Sequence, residues 1–254
     1  MCCPSECISV SLRNRADDRG AVETLSSQKP SRDFATCRIE MTAGRSTESH
    51  RDARLAVSEP LYHFGVVRGA GSADLQAFQK SVYEARYGSM PDDGRDAAAH
   101  LLVARDRAGK VVASLRVLTN ENRPFSFDAV LDLSRVAGLG QAPAEIGRWC
   151  VDPNLRDVSG AQGLHFGLMK FVFLFAAARG VSDYVICIYP ELERFYRGMY
   201  FEDSGQGFDH PDWGSVRLFS MSLQRVTQRF RQSGTTLGKF ILAAPGTNFS
   251  LSGA

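Results

Sequence analysis

Long apolar runs are missing from this 254-residue chain. The greasiest window, FGLMKFVFLFAAA at 166–178, is too short to span a bilayer and contains Lys170, so no integral membrane segment is expected. A charged-then-apolar leader is missing as well, which makes the cytoplasm the expected location. So is an excess of one charge. The formal net charge of +2 offers no global attraction to nucleic acid or membrane surfaces, and no nucleic-acid partner is expected. Lysine is scarce, standing only at 29, 80, 110, 170 and 239, which reads as codon composition and carries no function. A metal-ligand spacing among the six cysteines is missing too. Cys2, Cys3, Cys7 and Cys37 come early, no second ligand pair follows at metal-site spacing, and no metal is expected. Cys150 and Cys187 lie in apolar runs and read as small core residues.

What is present suits a globular domain with additions: hydrophobics are 44% and charged residues 23%. Residues 1–57 show no sustained apolar period and read as a mobile or loosely packed N-terminal extension. Residues 58–224 read as the folded domain, and 225–254 as a C-terminal helix and a weakly patterned tail. Within the domain, 62–69 reads as a strand and 73–87 as a helix capped by Ser72 and closed at Gly88. Strands 100–106 and 111–118 form a hairpin through RAGK. An irregular insert at 122–140 precedes a strand at 144–152, a helix at about 161–179 stopped by Gly180, and a fully apolar strand at 183–190. A helix at 191–201 and a last strand at 215–224 complete one α/β domain with a mixed sheet.

The stretch AEIGRWCVDPNLRDVSG at 144–160 is the one that calls for chemistry. Strand alternation puts Glu145, Gly147 and Trp149 on one face and Ile146, Arg148 and Cys150 on the other. Charges on a buried strand need partners or water, so they are either satisfied by neighbours or stand beside a pocket. The loop that follows carries Arg156, Ser159, Gly160 and Gly163 ahead of a helix. Glycines let backbone N–H groups approach a ligand, and a helix N-terminus favours negative charge, so the loop suits a phosphate; ordinary turns carry two glycines as well.

This strand, Arg-xxx-Gly-xx-Gly loop and helix are followed by an apolar strand ending at Pro190 and by FYRGMYF at 195–201. The combination, over roughly 60–224, resembles the Gcn5-related N-acetyltransferase superfamily. The resemblance implies an acyl-CoA N-acyltransferase (GNAT-like) α/β fold, a mixed, mostly antiparallel central sheet flanked by helices. It also implies that the fourth and fifth strands splay to admit a thioester, and that the glycine loop holds its pantetheine or pyrophosphate. Two strands resemble the acyl-homoserine lactone (autoinducer) synthases. VASLRVL, with Arg116, matches their Arg-Leu-Leu strand, and AEIGRWCV matches their Glu-x-Ser-Arg-Phe strand at Glu145 and Arg148, with Gly147 in place of the serine. YEAR at 83–86 matches their Tyr-x-x-Arg at Arg86, but the Phe and Trp that shape an adenosylmethionine pocket do not follow. The nearer resemblance is to N-acyl amino acid synthases.

That resemblance implies transfer of a long-chain acyl group from acyl carrier protein or coenzyme A to the amine of an amino acid or similar small molecule. The thioester is a cosubstrate, and no tightly bound cofactor is implied. Glu145 is the expected base, with a salt bridge to Arg116 as the structural alternative. Tyr196 is the expected acid toward the leaving thiolate; otherwise it packs on the sheet. The backbone at Trp149–Val151 is the expected oxyanion donor. Arg116, Arg148 and Arg86 are candidates for the acceptor carboxylate. Phe125, Phe127, Val130, Leu131 and Leu133, with Trp149 and Leu164, Leu168, Phe171 and Phe175, line either an acyl slot or an ordinary core. An acidic carrier protein implies a basic patch near Arg156 and Lys170. The competing activities are lactone synthesis from adenosylmethionine, lysine acetylation, and a non-catalytic module that binds an acyl carrier.

Overall fold

The structure, a computed structural model, describes residues 60–90, 92–155, 159–210 and 213–252, with the side chains of 159–163 outside that description. Eight strands form one sheet, β1 (Tyr62–Arg68), β2 (His100–Asp106), β3 (Val111–Leu118), β4 (Pro143–Val151), β5 (Asp183–Ile188), β6 (Glu202–His210), β7 (Gly214–Ser222) and β8 (Phe249–Ser250), in the order β6-β7-β5-β4-β3-β2-β1-β8. Pairing is antiparallel except for β4 with β5 and β1 with β8. The helices are α1 (Ala73–Tyr87), α2 (Ser159–Arg179), α3 (Glu193–Gly198), α4 (Leu223–Ser233) and α5 (Thr236–Leu242).

Both faces of the sheet are covered, which is why β3 is buried at every position and reads as an apolar run rather than an alternation. One face packs Leu102, Leu115, Ile146 and Ile186 against Phe171 and Phe175 of α2 and Phe230 of α4. The other packs Leu101, Val103 and Val185 against Leu75 of α1 and against Phe125 and Phe127 of the insert. The insert and α2 therefore serve two cores on opposite faces. The acyl slot expected from joining them does not form.

Helix ends follow the sequence signals. Gly88 closes α1 in the left-handed region at φ 79°, donating its N–H to Glu84 O, and Gly180 follows α2 at φ 67°. Two elements depart from expectation. EDSGQGFDH forms β6, an edge strand whose polar, glycine-bearing sequence has no apolar period to reveal it. The tail contributes β8, where Phe249 stacks on Phe64 at 4.8 Å between ring centroids.

Candidate active site

The parallel pairing of β4 with β5 lasts for three residue pairs, from Pro143↔Asp183 to Glu145↔Val185. Beyond Glu145, β4 stays on β3 as far as Val151, while β5 stays on β7 as far as Ile188. The strands diverge, and a cavity of about 230 Å³ opens beside them. Its walls include Glu145, Gly147, Arg148 and Trp149 from β4, Cys187 and Ile188 from β5, Tyr196 from α3, and Tyr83, Arg86 and Tyr87 from α1.

A bulge in β4 arranges the charges. Arg116 faces Gly147 and Ser114 faces Cys150, so Leu115 of β3 stands opposite both Arg148 and Trp149. Arg148 takes φ 50°, a conformation that costs a non-glycine residue about 1–3 kcal/mol. The simple alternation expected for this strand is therefore wrong after Gly147. Arg148 turns to the ion cluster shared with Glu145, and Trp149 packs against the α2-side core.

The cluster is buried. Arg116 donates to Asp93 with both terminal nitrogens, at 2.8 and 2.7 Å, and to Asp96 at 3.0 Å. Arg148 donates to Asp93 at 3.2 Å and to Asp96. Glu145 Oε2 accepts from the Ser126 backbone N–H and Oε1 from the Ser126 hydroxyl, each at 2.7 Å, and Arg116 lies 3.7 Å from Oε1. Burial pushes the Glu145 carboxyl up, against the opposing pull of Arg116 and the two Ser126 hydrogen bonds. For Asp93, burial pushes up too, but the hydrogen bonds and charges of Arg116 and Arg148 prevail and hold it at about 2. With Arg95 also 3.9 Å from Asp93, three carboxylates and three guanidiniums leave the fully ionised cluster neutral.

Glu145 therefore combines the ion pair to Arg116 with a place on the cavity wall. The terminal nitrogens of Arg116 and Arg148 donate to Asp93 and Asp96, so an acceptor carboxylate would have to compete with these acids for them. Arg86 differs. It lines the cavity, lies exposed, and has no carboxylate partner among the described residues; its guanidinium sits 5.4 Å from the centre of the Tyr87 ring. Tyr196 is 7% exposed and lines the cavity, and burial raises its hydroxyl, so it holds its proton at neutral pH.

Val151 ends β4 in the core. Ser159, Gly160 and Gly163 fall in the first turns of α2, which starts two residues earlier than expected. Arg156 lies outside the described residues. Lys170 is 3% exposed and donates to Phe240 O and Ala244 O at 2.9 and 3.2 Å. It is a buried tie between α2 and the C-terminal segment, not part of a surface basic patch.

Sequence reasoning missed Asp93, Asp96 and Ser126. The acids sit in SMPDDGRDAA, which has no period and reads as an exposed loop. Ser126 sits between two phenylalanines in FSF. The usable signal was the pair of strand arginines, since buried guanidiniums require carboxylates and this loop is rich in them.

The sequence model of the family described as N-acyl amino acid synthase FeeM matches residues 76–223. Among solved structures, the FeeM N-acyl amino acid synthase from uncultured soil microbes is similar with a TM-score of 0.56 and 15% identity, over 72% of this chain and 98% of that one. The CoA-dependent acyl-homoserine lactone synthase BjaI is similar with a TM-score of 0.49 and 16% identity, over 69% of this chain and 90% of that one. No curated protein matches the sequence. With the family match spanning more than half of the chain, and with a GNAT-like sheet splayed beside Glu145, this chain belongs to the FeeM family of N-acyl amino acid synthases and is an acyltransferase.

Proposed function

We propose that this enzyme moves a long-chain acyl group from the thioester of acyl carrier protein or coenzyme A to the α-amine of an amino acid, within the cleft between β4 and β5. The observation that carries this is the divergence of the two strands after Glu145, which opens a cavity onto a buried carboxylate. FeeM, the structure it resembles, is described as an N-acyl amino acid synthase.

The acceptor is a zwitterion, and the site has a place for each end. The Glu145 carboxylate at the cavity wall suits the ammonium. Arg86, across the cavity, suits the carboxylate through charge-assisted hydrogen bonds. The acceptor reacts as the free-base fraction present near neutral pH, its first proton having gone to water. The amine nitrogen attacks the thioester carbon, and the extra proton then carried by that nitrogen passes toward Glu145. Burial raises the basicity of that carboxylate toward what the role needs. The tetrahedral oxygen is met by the β4 backbone in the stretch Trp149–Val151. As the carbon–sulfur bond breaks, Tyr196 gives its proton to the thiolate. The start of α2, with Ser159, Gly160 and Gly163 in its first turns, receives the pantetheine arm together with Arg156. The cytoplasm is the proposed location.

Incubation with a panel of acyl carrier protein and coenzyme A thioesters plus mixed amino acids, read by mass spectrometry, tests this. N-acyl amino acids should form, and Glu145→Gln should lower kcat about 10²–10⁴-fold. Turnover of E145Q within a few-fold of wild type removes the base assignment. Lactone release and consumption of added adenosylmethionine would replace the amino acid reading with lactone synthesis.

A further inference from the structure

Arg116 spends its terminal nitrogens on Asp93 and Asp96, but its Nε–H is buried and has no hydrogen-bond partner among the described residues. The residue is 2% exposed, so bulk water does not serve that donor. A buried, unmet N–H costs about 1–3 kcal/mol, which makes its surroundings informative. Its neighbour is Gly147, at the cavity wall. A Cβ placed on Gly147 would stand 3.9 Å from Arg116 Nε, 3.7 Å from its Nη2 and 3.9 Å from Glu145 Oε1, all ordinary contact distances. The missing side chain thus leaves a notch with a donor on one wall and a carboxylate oxygen on the other.

We propose that the notch at Gly147 is a subsite for a single hydroxyl oxygen, which accepts a hydrogen bond from Arg116 Nε and donates one to Glu145 Oε1. An oxygen carrying its own hydrogen satisfies both walls, whereas an ionised carboxylate cannot donate and an ammonium cannot accept. Two sources supply it: a water, or the side-chain hydroxyl of the acceptor. The second rests on the acyltransfer to amino acids proposed above. In either case the oxygen fixes the Glu145 carboxylate from its cavity side, while Ser126 fixes it from the other.

Gly147→Ala and Gly147→Ser test this as a pair, because both add the same Cβ and only one adds the oxygen. The expected result is that G147S melts above G147A. A serine hydroxyl buried without partners would instead melt lower, and G147S at or below G147A overturns the subsite. This readout needs no turnover, so complete inactivity toward every acceptor would sink the functional reading while leaving the subsite decided. Kinetics then assign the source. A wild-type preference for serine over alanine and for threonine over valine, tenfold or more in kcat/KM and lost in G147S, identifies the acceptor's hydroxyl. No such preference, with kcat lowered tenfold or more in G147A and largely recovered in G147S at unchanged KM, identifies water.

Discussion

Arg86 and Arg116 are the same residue type at the same cavity, and their surroundings give them different work. Arg116 is 2% exposed and ringed by three carboxylates, so its charge is spent on holding β3, β4 and the 93–96 loop together. Arg86 has no carboxylate partner among the described residues, and its proposed role is to bind the acceptor's carboxylate. Arg86→Ala should therefore raise KM for the amino acid by about 10–100-fold with kcat little changed, the pattern expected when a charge-assisted contact of about 1.5–3 kcal/mol is lost from ground and transition states alike. A fall in kcat with unchanged KM would move Arg86 out of carboxylate binding. Asp93 yields a stability prediction. Its carboxyl ordinarily titrates near 3.8 and is held at about 2 in the folded chain. A depressed acid stabilises the fold above its unfolded value, and that contribution is lost as pH falls through the folded one. Asp93→Asn should thus melt well below wild type at pH 7, by about 3 kcal/mol for an ion cluster missing one member. The gap should narrow between about pH 4 and pH 2. A gap that stays constant over that window would detach Asp93's role from its charge.

At the scale of elements, the strands and helices with strong apolar periods were legible in the sequence, because packing on two covered faces demands those periods. The glycine stop of α2 and the hairpin of β2 and β3 were legible for the same local reasons. What escaped was set by distant partners. The β4 bulge depends on how many residues β3 offers opposite Arg148, and no local pattern encodes that. β6 is polar because it lies at the sheet edge with most of its residues wet. In the site, Glu145 was legible from its charge on an apolar strand. Its support from Ser126, nineteen residues earlier, was not. One helix–strand contact is unusually close. Gly167 of α2 lies over the Phe64 ring of β1, and a methyl group built on it would collide with that ring. Helix propensity favours alanine over glycine by about 1 kcal/mol, yet overpacking a core costs about 1–3 kcal/mol. Gly167→Ala should therefore lower the melting temperature. A rise would mean that α2 can move off β1 at no cost.

For the whole described unit, the tail is where function and stability part company. The end of the chain after the C-terminal helix looks weakly patterned, yet it returns across the sheet to its far edge at β8. Asn248 O accepts from Phe64 N–H at 2.7 Å, Asn248 donates to Tyr62 O at 3.1 Å, and Phe249 covers Phe64. Lys170, buried in α2, ends on the carbonyls of Phe240 and Ala244, so the same segment also solvates an interior charge. The cavity is lined from Val82 to Val216 and takes no wall from this segment. Deleting residues 245–254 exposes the Phe64 ring and frees two backbone partners, a loss of about 2 kcal/mol by area and hydrogen-bond reckoning. For a chain of this size, that amounts to a drop in melting temperature of about 5 °C. At temperatures where the shortened chain is still folded by circular dichroism, its kcat and KM should stay within about twofold of wild type, because no group that binds or reacts has been removed. Turnover that collapses in a chain still folded would show that the edge formed by β1 and β8 steadies the cleft between β4 and β5 from three strands away.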